Sequence, residues 1–183
     1  LNLAAWAVGG FYLSLAPSLV RAATGSTSNL IGGALVAVLT LTGALSIYTL
    51  RNQEADKMLR LSASLLVIGL ALVLVAVHGG SLPLFFIGTL VTGSGFGAGF
   101  LGALRSIMPL ALPHERAGLM SAFYVLSYLA FSLPSLLAGN LTRVFGLIPT
   151  TDGYGAVLIV LSAAALLGLS RQSVKPAGEG AQP

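Results

Sequence analysis

The sequence predicts an all-α membrane protein with six transmembrane helices. Six apolar stretches follow one another with short gaps, and almost all charged residues lie in or beside those gaps. A helix of about 20 apolar residues spans the hydrocarbon core, and every backbone polar group must be hydrogen bonded within the protein there. Long consecutive apolar stretches therefore indicate helices rather than open sheet. The expected spans are 3–20, 29–50, 58–78, 82–107, 117–142 and 153–170.

The composition supports this fold class. The chain has 183 residues, of which 56% are hydrophobic and only 8% are charged, whereas a soluble domain averages about 25% charged residues. The net charge of +4 comes from nine basic and five acidic side chains. Because these lie in the gaps, they indicate membrane orientation rather than a nucleic-acid-binding face. The absence of cysteine excludes disulfides and thiol chemistry.

The basic residues predict which side of the membrane each gap faces. If 51–57, 108–116 and the tail 171–183 face the cytoplasm, seven basic residues lie in or beside cytoplasmic segments. Only Arg21 and Arg143 lie on the other side. The seven are Arg51, Lys57, Arg60, Arg105, Arg116, Arg171 and Lys175. The positive-inside rule then predicts that both ends of the chain lie in the cytoplasm. The membrane expected to contain the protein is the inner membrane of the cell.

The ends of the chain and its last turn lead to three further expectations. The chain begins at Leu1 with no basic segment before the first span, so we expect a fragment of a longer protein. Residues 148–153 are expected to form a turn, with Thr151 or Asp152 capping the last helix. The composition of 171–183 predicts a disordered cytoplasmic tail after a single membrane domain, 1–170.

Acidic side chains are expected only outside the membrane spans. Glu54, Asp56, Glu115, Asp152 and Glu179 all fall in predicted loops or the tail. Carboxylates inside the membrane are the usual proton relays of pumps and coupled transporters. This part of the protein is therefore predicted to carry no obvious proton-coupling residue.

Glycine is abundant within the spans, and the fourth span is the densest case. Gly93 with Gly97, and Gly95 with Gly99, form two GxxxG pairs offset by two residues. Such pairs let membrane helices approach closely, and the offset places them on different faces. Pro134 lies near the middle of the fifth span and favours a bend. These features indicate either ordinary close packing or helices that flex as a cavity opens and closes.

Several motifs that resemble catalytic sites lack the context they need. Gly97–Gly102 matches GxGxxG but lies inside an apolar span, without the strand and acidic residue of a dinucleotide site. Ser94 has no histidine at its depth, because His78 and His114 lie at opposite membrane edges. Asn140 begins a glycosylation sequon at a helix end, which we regard as accidental. We expect no catalytic residues, no enzyme activity, no cofactor and no metal site.

Three segments together resemble a known family of membrane transporters. These are 4–19, a helix with paired glycines and a proline; 43–60, where a small residue late in a helix precedes a short charged loop; and 113–122, which precedes the helix that carries Pro134. The chain resembles the carboxy-terminal half of a major facilitator superfamily transporter, of the bacterial drug-efflux type. The charged residues of 51–60 depart from the spacing of the family's usual loop pattern.

The resemblance implies a fold of two six-helix halves with a substrate site between them at the membrane midplane. It implies that the first and fourth helices line the cavity, and that charged residues at the cytoplasmic end form a gate. The candidate cavity residues are then Tyr12, Ser14, Phe96 and Phe100. The candidate gate residues are Arg51, Asp56, Arg60, Arg105 and Arg116.

The function that follows from this resemblance is secondary active transport of a small, uncharged or amphipathic molecule by alternating access. The expected partners are the lipid bilayer, a separate amino-terminal six-helix half and the small-molecule substrate, with no nucleic acid. One alternative is a six-span scaffold or assembly subunit without transport activity. Another, less favoured by the motifs, is an intramembrane enzyme.

Overall fold

The computed structural model of the chain describes residues 1–25 and 29–172. These residues form six α-helices, each long and apolar enough to cross a membrane, which indicates a multi-pass membrane protein. A short 3-10 turn, Met108–Leu110, follows the fourth helix. The helices are α1 (Asn2–Thr24), α2 (Asn29–Leu50), α3 (Ala55–His78), α4 (Leu82–Ile107), α5 (Arg116–Phe145) and α6 (Leu147–Gln172).

The largest difference from the predicted spans is at the start of α6. The helix begins at Leu147, so the predicted turn at 148–153 is wrong, and neither predicted cap residue lies at its first position. The chain turns instead at Gly146, whose φ of 90° suits a residue without a side chain. Pro149 is tolerated because it lies in the first helical turn, where its missing N–H would have no intrahelical acceptor.

Two acidic residues also lie within helices rather than in loops. Asp56 is in the first turn of α3, and Asp152 is in the second turn of α6. The expectation that these two residues lie in loops is wrong, because the helices extend past their apolar stretches. At the other end α6 continues through Gln172, and the rest of the predicted tail, 173–183, lies outside the described residues.

The helices pack as two related sets of three. α4 packs along α2 and α3, and α1 packs along α5 and against α6. The first three helices can be matched in order with the last three, α1 with α4, α2 with α5 and α3 with α6. The contact α1–α5 then corresponds to α4–α2, and α1–α6 corresponds to α4–α3. The contacts α1–α4 and α3–α6 each join two helices that are matched with one another. The contacts α1–α2 and α5–α6 have no comparable counterpart, so the two sets of three helices correspond only in part.

The glycines of α4 let it be approached closely from two sides. Gly93 and Gly97 face α2, whereas Gly95 and Gly99 face α3. A Cβ atom added to the first member of each pair would lie 2.6 Å from an α2 carbonyl oxygen and 3.0 Å from an α3 amide nitrogen, respectively. The offset of two residues thus places one pair against each neighbour. α5 continues through Pro134 as a single helix, and flexing at this position stays a prediction.

Candidate functional site

Aromatic side chains from three helices converge near the end of the bundle where α1 and α5 begin. We call Trp6, Phe96, Phe100, Tyr124 and Tyr128 the aromatic surface. Trp6 is its centre, with ring centroids between 5.3 Å, to Tyr128, and 6.4 Å, to Tyr124. All four contacts of the indole are edge-to-face, the geometry that aromatic quadrupoles favour.

The aromatic surface exists because α1 and α5 approach closely. A Cβ atom added to Gly9 would lie 3.0 Å from the Phe131 ring, and one added to Gly10 would lie 2.5 Å from the Phe131 carbonyl oxygen. Nearer the helix start, Asn2 Nδ2 donates a hydrogen bond of 2.8 Å to Ser127 Oγ. These contacts hold the indole of α1 against the tyrosines of α5.

Two polar atoms of α1 are buried beside this surface without a partner. Among the described residues, no group forms a hydrogen bond with Asn2 Oδ1 or Trp6 Nε1. The two residues are one helical turn apart, so an unpaired acceptor and an unpaired donor lie on the same face of α1. Asn2 also lines a cavity of about 490 Å³, together with Phe123 and Ser106.

The structure assembles two of the four predicted cavity residues. Phe96 and Phe100 belong to the aromatic surface. Tyr12 instead lies fully buried inside the bundle, where its hydroxyl donates to Thr89 Oγ1 at 3.0 Å. Ser14 Oγ donates to the Gly10 carbonyl of its own helix at 2.7 Å. Neither residue contributes to the aromatic surface, and Trp6 is the α1 residue that does.

Among the predicted gate residues, Arg105 links the end of α4 to the loop between α2 and α3. Its guanidinium donates to the Gln53 carbonyl at 2.8 Å and also to the Arg51 carbonyl. The Arg51 guanidinium lies 4.6 Å above the Tyr48 ring, in a cation–π contact. The α4 terminus is thereby tied to backbone carbonyls rather than to an acidic side chain.

The other gate candidates occupy two further places at the same end. Arg60 pairs with Asp56 at 2.7 Å and also donates to the Leu169 carbonyl of α6 at 2.7 Å. Arg116 is exposed at the start of α5. The five candidates therefore form two separate helix contacts and one exposed cation, and their role in gating stays a prediction.

Trp6, Tyr124 and Tyr128 are not among the site residues predicted from the sequence. A pattern that identifies them is present in the sequence: the aromatic surface contains Phe96 with Phe100 and Tyr124 with Tyr128, each pair four residues apart. Residues four apart lie on the same helix face. Only the packing of α1, α4 and α5 shows that these faces meet the one tryptophan of the chain.

The chain matches no family model, no curated protein and no solved structure. Within the described residues, no group of three or more histidine, aspartate or glutamate side chains is placed to hold a metal ion. The functional proposal therefore depends on the geometry described above and on the resemblance of three sequence segments.

Proposed function

We propose that this chain is the carboxy-terminal six-helix half of a secondary transporter of the major facilitator type. It pairs with an amino-terminal half and moves a small, uncharged or amphipathic molecule across the inner membrane by alternating access. The aromatic surface contributes this half's part of the substrate route. The partial correspondence between the two sets of three helices supports the proposal, because internal repeats are common among secondary transporters.

The observation that carries the proposal is the aromatic surface with its unpaired polar atoms. Small-molecule sites combine a mostly apolar lining with a few well-placed polar groups. Trp6 supplies the central ring and an unpaired N–H donor, and Asn2 supplies an unpaired carbonyl acceptor. None of the five side chains of the aromatic surface is charged. This chemistry fits an amphipathic molecule with one or two polar groups better than a strongly charged one.

Packing at α4 supports movement during transport. This helix slides or rocks most easily where small residues form its contacts, and glycines form them on both the α2 and α3 sides. Arg105 and the pair Arg60–Asp56 connect helix ends at the end that we assign to the cytoplasm. We propose that these contacts hold one state and break in the other.

Transport assays on the full-length protein test this function. Cells that express it are compared with empty-vector cells for accumulation of a panel of dyes and metabolites, with and without a proton uncoupler. We expect a difference in accumulation for at least one uncharged or amphipathic compound, and its response to the uncoupler shows whether protons drive it. Tyr128→Leu and Trp6→Leu should each reduce this transport by about fivefold, since an aromatic contact contributes about 1 kcal/mol.

Phe145→Leu is the matched control, because Phe145 lies at the other end of α5 with a similar exposed fraction, 64% against 60% for Tyr128. Equal loss in all three variants would show a general folding effect and would contradict a role for the aromatic surface. Absence of any accumulation difference, with stable self-association of the chain in crosslinked native membranes, would instead support the scaffold function.

A further inference from the structure

At the end of the bundle opposite the basic loops, a histidine and an aspartate join α3 to α6. His78 is the last residue of α3, and its Nε2 atom lies 3.3 Å from Asp152 Oδ2 in the second turn of α6. Its other ring nitrogen, Nδ1, lies 3.0 Å from the Leu74 carbonyl oxygen. We propose that the contact between His78 and Asp152 is a pH-sensitive latch, which is closed when His78 is protonated and opens when the imidazole loses its proton.

Both ring nitrogens of His78 face oxygen atoms that accept hydrogen bonds, a backbone carbonyl and a carboxylate. A neutral imidazole has one N–H group, so either tautomer leaves an unprotonated nitrogen facing the lone pairs of Leu74 or of Asp152. The imidazolium has two N–H groups and donates to both oxygens. The carbonyl groups at the end of α3 add to this preference, because the negative end of a helix dipole attracts a cation. The geometry therefore fits the protonated ring.

Close packing one helical turn away holds these two side chains opposite each other. A Cβ atom added to Gly155 of α6 would lie 2.8 Å from Leu74 Cδ2 of α3, so the two helices meet closely at this point. His78 follows Leu74 by four residues, and Asp152 precedes Gly155 by three. Residues three or four apart lie on the same helix face. The contact between α3 and α6 therefore continues from Leu74 and Gly155 to the latch.

Within residues 1–25 and 29–172, Asp152 is the only group that forms an ion pair with His78. The helices packed against α3 are α4, α6 and, over a short stretch, α1. Tyr12 of α1 and Tyr154 of α6 donate their hydroxyl groups to other helices, and Arg21 of α1 donates to a carbonyl of its own helix. The remaining charged residues of these four helices lie at the opposite end of the bundle: Asp56, Lys57, Arg60, Arg105 and Arg171.

The latch is accessible to protons from water, since 57% of the His78 side chain and 41% of the Asp152 side chain are exposed. Histidine is the side chain whose charge ordinarily changes between about pH 5 and 8. As the pH rises through this range, His78 loses its positive charge and the ion pair is lost, so the latch is closed at acidic pH and open at alkaline pH. Arg60 joins the same two helices at their other end through the Leu169 carbonyl and keeps its charge throughout. The inference is independent of the transport proposal.

Hydrogen exchange of the full-length protein in lipid nanodiscs, measured by mass spectrometry, tests the latch. Exchange of residues 147–156 is compared between the wild type and His78→Gln at the same pH, because the α6 sequence is identical in both and the intrinsic exchange rates cancel. At about pH 5.5 we expect exchange in the wild type to be slower by about twofold to fivefold, as for an exposed ion pair. At about pH 8 the two rates should be equal, because the imidazole is then neutral.

His114→Gln is the matched control, because His114 is the other histidine of the chain and lies in the loop between α4 and α5. It should leave exchange of 147–156 unchanged at both pH values. His78→Arg keeps a cation at this position and should retain slow exchange at both. Asp152→Asn should accelerate exchange of residues 74–80 at the acidic pH alone. An equal effect of His78→Gln at both pH values would indicate a hydrogen bond that does not depend on protonation and would overturn the proposal, and so would no effect at either pH.

Discussion

Gly97 shows at the level of a single residue how closely two helices meet. An added Cβ atom would lie 2.8 Å from the Gly43 Cα of α2, and neither backbone can yield locally. We expect Gly97→Ala to lower the free energy of unfolding in detergent by about 1–3 kcal/mol, the usual cost of overpacking. Thermal and denaturant unfolding of the purified protein measures this change.

Gly168→Ala is the control for this prediction. Gly168 lies in α6 with nothing within 4 Å of an added Cβ atom, so the substitution should be neutral or stabilise the helix by up to about 1 kcal/mol. If both variants lost the same stability, the cost would come from helix-wide effects of losing glycine rather than from the contact between α2 and α4.

Arg105 connects the end of α4 to the loop between α2 and α3. Arg105→Gln removes the guanidinium that donates to the Gln53 and Arg51 carbonyls. We expect faster hydrogen exchange in residues 51–58, measured by mass spectrometry. The change in overall stability should stay below about 1 kcal/mol, because the contact is exposed to water.

Arg116→Gln is a suitable comparison, since it removes an exposed cation from the same end of the bundle. Faster exchange of 51–58 in both variants would indicate a general effect of charge and would contradict a specific link through Arg105. Exchange that changes only in Arg105→Gln would show that this side chain holds the end of α4 to the loop.

A related prediction concerns the end of α6. Arg60 donates to the Leu169 carbonyl and is oriented by Asp56. Arg60→Gln should therefore accelerate exchange in residues 166–172, while Asp56→Asn should do so less because it leaves the donor in place. An equal effect of the two substitutions would show that the ion pair, rather than the hydrogen bond to α6, holds this end.

For the whole molecule, the testable property is orientation in the membrane. The chain has no cysteine, so single cysteines can be placed without background from this segment. With a membrane-impermeant maleimide, Gly79→Cys should be labelled in intact cells, since Gly79 is exposed and its φ of -82° accepts a side chain. Gln53→Cys should be labelled only in inverted vesicles, because the basic loop is predicted to face the cytoplasm. Labelling of Gln53→Cys in intact cells would reverse the predicted orientation.

The apolar stretches of the sequence were sufficient to predict that each helix exists, but not where every helix begins and ends. The apolar stretches predicted α2 and α4 with the bounds observed, because transfer into lipid depends mainly on the residues of each stretch. The start of α6 was missed because Pro149, Thr151 and Asp152 resemble a turn. Its actual position depends on the positive φ of Gly146, which local composition does not reveal.

The candidate site was predictable only in part. Phe96 and Phe100 followed from the resemblance, whereas Tyr12 was assigned to a cavity and lies in the bundle core. Apolar periodicity cannot separate these cases, since the faces that meet lipid and the faces that meet other helices are equally apolar. Trp6 entered the site because Gly9 and Gly10 draw α1 against α5.

Amino-acid order alone established a bilayer protein of six helices with a marked excess of basic residues at one end. Each of these properties is a sum over neighbouring residues along the chain. The tertiary structure determined which helix faces touch, and with them the position of Trp6, the burial of Tyr12 and the contacts of Arg105. These depend on shape complementarity between distant segments, because lipid provides no hydrophobic preference for one apolar face over another.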